Sequence, residues 1–272
     1  MMEAMDIYKV TAIDIHSHLG MDHGPISLAQ VENGSSEYLL RTMKLAGIGI
    51  SANTSRYAIM PRGSGYTVEG NRRLLEEIEN LPGVYGWVTI DPHEPESYQQ
   101  AEEMIKHPKM LGLKIHPEEH EYNLMDFGDE LFSLADRLQV PLLGHSGGLR
   151  CMPEVFCRFA NQYPKVKVIA AHLGSSPDGD PTHHIRAIEE NKYGNLYTDT
   201  SSAMSVLANL LEYAVGRIGA DQILFGTDSS CYFSPCQRTR VDAADISDED
   251  KYKILRENAL KLFPQLKKEL EL

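Results

Sequence analysis

Val10-Thr-Ala-Ile-Asp-Ile-His16-Ser-His18 is an apolar run of strand length that ends in two histidines two residues apart. Side chains at i and i+2 of a strand leave the same face. His16 and His18 are therefore expected to present both imidazoles at one strand end, close enough to grip one metal ion. The same punctuation returns in Leu111-Gly-Leu-Lys-Ile-His116, Val140-Pro-Leu-Leu-Gly-His145, Val166-Lys-Val-Ile-Ala-Ala-His172 and Ile223-Leu-Phe-Gly-Thr-Asp228. A polar residue closing one apolar run after another describes a single site assembled from many strand ends.

Apolar runs begin near Val10, Ile48, Val84, Leu111, Val140, Val166, Asn195 and Ile223, roughly every thirty residues, the length of a strand–helix unit. Helical periodicity fills the intervals. Ser36 reads as a cap for Leu39, Leu40, Met43 and Ala46, with Gly47 as a stop. Further helices are expected from Asn71, after Pro95, and over 128–138, 153–163, 182–192, 204–218 and 247–263. Eight strands alternating with eight helices make a parallel sheet covered on both faces. An open sheet confines its site to a switch point, whereas a closed barrel gathers every strand C-terminus on one rim. Metal-ligand residue types follow strands one, four, five, six and eight, so the expectation is α/β, a closed (β/α)8 TIM barrel with its metal site at the C-terminal rim. No linker or composition shift divides residues 1–272, which read as one domain.

A hydrophobic fraction of 42% supports a sizeable core, and a net charge of −13 argues against nucleic acid or an anionic membrane as partner. No stretch approaches the ~20 apolar residues of a membrane span, and no N-terminal signal is expected. Cys151, Cys157, Cys231 and Cys236 lack a zinc-finger spacing and fit reduced thiols in the cytoplasm.

The ordered set Asp14-Ile-His16-Ser-His18, Gly112-Leu-Lys-Ile-His116-Pro117, Gly144-His145, Ala171-His172-Leu-Gly174 and Phe225-Gly-Thr-Asp228 resembles the amidohydrolase superfamily, in its amidohydrolase-related branch. The closing Glu257-Asn-Ala-Leu-Lys-Leu-Phe263 resembles the C-terminal helix of that family. The resemblance implies that His16, His18, His145 and Asp228 hold a divalent metal, with His172 as a further ligand or a catalytic base. Three imidazoles and a carboxylate suit zinc first, with manganese or iron as alternatives. Such an ion brings the pKa of a bound water to about 7, and Asp228 is the expected proton acceptor. Lys114 and His116 share a parity on strand four. In binuclear relatives a carbamylated lysine on this strand bridges two metals; as a plain ammonium Lys114 would bind a substrate carboxylate. One ion is favoured over two.

Arg56 and Tyr57 follow strand two and Arg150 follows His145, where an arginine fork suits a carboxylated small molecule. Arg238 and Arg240 lie further out in the last long loop. Asp14 reads either as support for the histidine pair or as a carboxylate satisfied by backbone, and Asp199 reads as rim scaffolding. His23 is expected beside the pair, while His93, His107, His120, His183 and His184 read as surface residues.

The leading expectation is a metal-dependent hydrolase acting on a C–O or C–N bond of a lactone, ester or amide. The alternative is a non-oxidative decarboxylase of an unsaturated or aromatic acid, set second because the chain has a single tryptophan, Trp87, where a large aromatic pocket is expected. A nuclease-type metal site is disfavoured because strand four carries Lys114 and His116 in place of a glutamate. A non-catalytic metal-binding barrel is the reading from a different class, and a homodimer is an expectation with no interface legible in the sequence.

Overall fold

The computed structural model describes residues 6–20, 33–60, 62 and 66–270. Eight strands, β1 (Ala12–Leu19), β2 (Ile48–Ser55), β3 (Val84–Ile90), β4 (Met110–Ile115), β5 (Leu142–Gly144), β6 (Val168–Ala170), β7 (Leu196–Asp199) and β8 (Ile223–Leu224), pair in parallel in chain order. Closure joins β1 to the segment that follows β8. Ile15 N donates to Phe225 O at 3.0 Å, and Asp228 N donates to His16 O at 2.8 Å. The sheet is thus a closed (β/α)8 TIM barrel. Strands buried on both faces account for their near-continuous apolar runs.

The outer layer begins with α1 (Ser36–Leu45), α2 (Arg56–Ile59), α3 (Thr67–Ile78) and α4 (Glu96–Met104), and continues with α5 (Leu124–Leu138), α6 (Pro153–Gln162), α7 (His183–Glu190) and α8 (Leu210–Ile218). It ends with α9 (Ser234–Asp242), α10 (Asp248–Tyr252), α11 (Asn258–Leu262) and α12 (Lys267–Leu270). Ser35, one residue before the expected cap, holds the start of α1 by accepting from Tyr38 N. Helix α3 begins four residues before Asn71, since Glu94 accepts from Thr67 N and Val68 N and anchors its first turn.

Two apolar layers result. Val88, Ile90, Leu113, Phe132 and Phe156 pack between sheet and helices, and Ile13, Ile50, Trp87, Leu143 and Ile169 fill the barrel. Phe263 and Leu266 close its N-terminal end, with Phe263 edge-on to Trp87 at 5.7 Å. Gly112 is needed here, because a Cβ would lie 2.8 Å from Trp87 Cζ3. Among the described residues no helix is long and apolar enough to cross a membrane.

Candidate functional site

The C-terminal rim encloses a cleft of about 380 Å³. His16, His18, Lys114, His116, His145, His172 and Asp228, all expected from the sequence, line it together. β1 shifts register between Asp14 and Ser17, an irregularity that re-aims side chains at a strand end. His18 Nε2 lies 2.7 Å and His16 Nε2 3.7 Å from Asp228 Oδ1. The backbone is left-handed at His172 (φ 74°) and Asp228 (φ 53°), a conformation costing about 1–3 kcal/mol outside glycine.

Two triads of donor atoms lie within 4.8 Å of one another, His16–His18–Asp228 and His16–His172–Asp199. His145 belongs to neither. Its ring stacks on His116 with centroids 4.1 Å apart, and its Nδ1 lies 2.9 Å from His172 Nε2. Burial lowers all five imidazoles, His145 to about 3, so each is neutral at physiological pH, the form that donates to a metal. Burial also lowers Lys114 to about 8, and its Nζ donates to His16 Nε2 at 2.8 Å. Burial raises Asp228, partly offset by the neighbouring His16 and Lys114.

Asp199 is more central than rim scaffolding alone. Its Oδ2 lies 2.9 Å from His16 Nδ1, and its Oδ1 accepts from His172 N at 2.9 Å. Burial pushes its pKa up, but His16 and these hydrogen bonds outweigh that and hold it at about 2. Ser201, which the sequence reading passed over, joins Asp199, His16 and His172. The signal was available: Ser201 follows Asp199 by two, as His18 follows His16.

Asp14 takes the backbone-satisfied role. It accepts from Thr227 Oγ1 at 2.6 Å and from His16 N and Thr227 N at 3.1 Å, while burial pushes it up to about 8.

The arginines sort differently from their sequence positions. Arg56 is buried and donates to Cys231 Sγ at 2.9 Å. Tyr57 lines a neighbouring cavity of about 160 Å³, with the Arg73 guanidinium 4.4 Å over its ring. Arg150 pairs with Glu118, 3.2 Å from Oε2. Arg238 is not a rim cation. It lies at the opposite end, donating to the carbonyls of Ile7, Val10 and Ala46 in the segments that lead into β1 and β2. Arg240 pairs with Glu212 away from the cleft. His184, read as a surface residue, is buried with Nε2 2.8 Å from Ala171 O, since α7 turns that face to the sheet. His23 lies outside the described residues.

Residues 13–265 match the sequence profile of the Amidohydrolase family. The chain belongs to this family. No curated protein matches this chain. It is similar to the solved structure of 2,6-dihydroxybenzoate decarboxylase from Rhizobium, with 16% identity, a TM-score of 0.70, and coverage of 94% of this chain and 99% of that one. It is also similar to dihydroxybenzoic acid decarboxylase from Polaromonas sp. JS666, solved with manganese and 2-nitroresorcinol, at 18% identity and a TM-score of 0.73 over 96% and 99% of the two chains. A third is 5-carboxyvanillate decarboxylase from Novosphingobium aromaticivorans, complexed with manganese, at 14% identity and a TM-score of 0.71 over 96% and 100%. At these identities the likeness is one of fold.

Proposed function

We propose that this amidohydrolase-family protein is a metal-dependent, non-oxidative decarboxylase of a small unsaturated or aromatic acid. The observation that carries this reading is the Asp228 carboxylate in the cleft, 2.7 Å from His18 Nε2 and lining it together with Lys114 and the imidazoles. From that place the Asp228 carboxylate can take up a proton and pass it on to carbon. Support also comes from the three similar structures, which are decarboxylases of hydroxylated benzoic acids. The single tryptophan does not weigh against this reading, because Trp87 lies beneath the cleft with its indole N–H on Ile15 O. The flat wall is supplied by the His116–His145 stack.

Neutral imidazoles beside a carboxylate fit a divalent cation, and His16, His18, His145 and Asp228 are the residues proposed to hold it. Zinc is proposed first for this donor set, one ion per chain, with manganese the ion in two of the similar structures. When bound, such an ion supplies Lewis-acid polarisation of a substrate oxygen. Lys114, uncarbamylated, offers an ammonium to the substrate carboxylate, and Arg56 lends positive charge from behind Cys231. As the carboxylate leaves as carbon dioxide, the C–C bond electrons pass to the ring carbon. That carbon takes a proton relayed through Asp228 from a substrate hydroxyl or solvent. His172 orients His145.

Hydrolysis of a lactone, ester or amide is the second reading, in which Asp228 accepts a proton from attacking water. Carbon dioxide release and proton release, measured on zinc- and manganese-loaded protein across hydroxybenzoic acids and lactones, separate the two. Proton release without carbon dioxide overturns decarboxylation. Absence of both, with metal bound, transfers the proposal to a non-catalytic barrel. Assembly as a homodimer is tested by light scattering, and cytoplasmic placement is proposed on the free state of the four cysteines.

A further inference from the structure

We propose that Ser201 is a positioning residue whose one hydroxyl proton sets the tautomer of His172 and, through it, of His145, beside a His16 that Asp199 and Lys114 hold in the same form, and so determines which ring nitrogens face the cleft as donors. The argument is proton counting. Ser201 Oγ lies in hydrogen-bond contact with Asp199 Oδ1, His16 Nδ1 (3.1 Å) and His172 Nδ1 (2.8 Å). Asp199, as a carboxylate, only accepts, so it takes the single Ser201 O–H. Toward both rings Ser201 Oγ has only lone pairs to offer. His16 and His172 must each carry their proton on Nδ1, and His16 Nδ1–H is shared with Asp199 Oδ2 at 2.9 Å.

The assignment then propagates. His172 Nε2 is left with a lone pair, so its 2.9 Å contact with His145 Nδ1 is bridged by a proton on His145. His145 is thereby another Nδ1–H tautomer with a free Nε2. Asp199 and Ser201 at the end of β7, with Lys114 Nζ donating to His16 Nε2 at 2.8 Å, thus leave His16 Nε2 and His145 Nε2 unprotonated, and His172 Nε2 is spent holding His145. Burial favours the order: Ser201, Asp199 and His16 are fully buried, where a complete set of hydrogen bonds is worth most. Gly226 leaves the room required, since a Cβ there would lie 3.1 Å from the Cβ atoms of both His16 and Ser201.

The significance for ligand binding rests on the proposed metal site; the tautomers themselves do not. Two-bond ¹H–¹⁵N spectra of the metal-free full chain, with rings assigned by single His→Gln variants, read the tautomers directly. The expected result is a protonated Nδ1 and bare Nε2 for His16, His145 and His172. In Ser201→Ala, His172 and His145 are expected to shift to mixed or Nε2–H forms, with His18 unchanged, and zinc affinity by competition dialysis is expected to fall about 10- to 100-fold. An Nε2–H form of any of the three in the wild type overturns the proposal, and so does an unaltered Ser201→Ala spectrum. Wild-type protein that binds no zinc would defeat the metal reading and leave the tautomer pattern standing.

Discussion

His18 Nε2 and Asp228 Oδ1 are 2.7 Å apart across 210 residues of sequence, brought together by the seam where β1 meets the segment after β8. This contact places the Asp228 carboxyl beside the histidine pair. Asp228→Asn preserves shape and removes the exchangeable proton. Turnover is expected to fall about a thousandfold with the melting temperature nearly kept. A variant retaining a tenth of wild-type turnover would remove Asp228 from proton transfer.

Arg238 provides a contrast at the other end of the barrel. Its guanidinium donates to Val10 O at 2.9 Å and Ile7 O at 3.1 Å, and its Nε pairs with Asp242 at 2.8 Å. Arg238→Ala leaves these acceptors buried, and a loss of about 3 kcal/mol is expected in urea titration. KM should not move; a KM change with intact stability would restore Arg238 to the substrate site.

Trp87 holds the floor of the cleft through Nε1–H to Ile15 O at 2.9 Å. Trp87→Phe strands that carbonyl and thins the packing on Phe263, so about 2 kcal/mol of destabilisation is expected. Circular dichroism must follow unfolding, as this is the only tryptophan. An unchanged urea midpoint would show that the indole is dispensable.

His184 should make stability depend on pH. Burial holds its imidazole down to about 4, against 6.5 for an ordinary histidine. Between those values the unfolded chain binds a proton that the folded chain refuses, so stability is full above about pH 6.5 and falls as pH drops toward 4. The full difference is on the order of 3 kcal/mol. His184→Gln should show a shallower slope of unfolding free energy against pH across this window; an identical slope would assign it to other groups.

Most of the architecture was legible in the chain because it is written locally. Each apolar run marks a strand buried on both faces, and the polar residue ending it marks the rim. That logic reached His16, His18, Lys114, His116, His145, His172 and Asp228, which line one cleft. It did not reach the partners of the arginines, whose long stems travel several ångströms from their backbone position. Arg150 turned to Glu118, and Arg238 to carbonyls beneath the sheet.

By itself, then, the sequence determined the alternation of strands and helices, the closed barrel and the identity of the residues at its rim, since periodicity and strand-end chemistry are properties of neighbours along the chain. Only the tertiary structure decided how those residues share protons. Asp199 and Ser201 reach His16, more than 180 positions away, because the barrel brings the ends of β1 and β7 around one axis. Such partnerships depend on ångström-scale separations between distant segments, which no local pattern encodes.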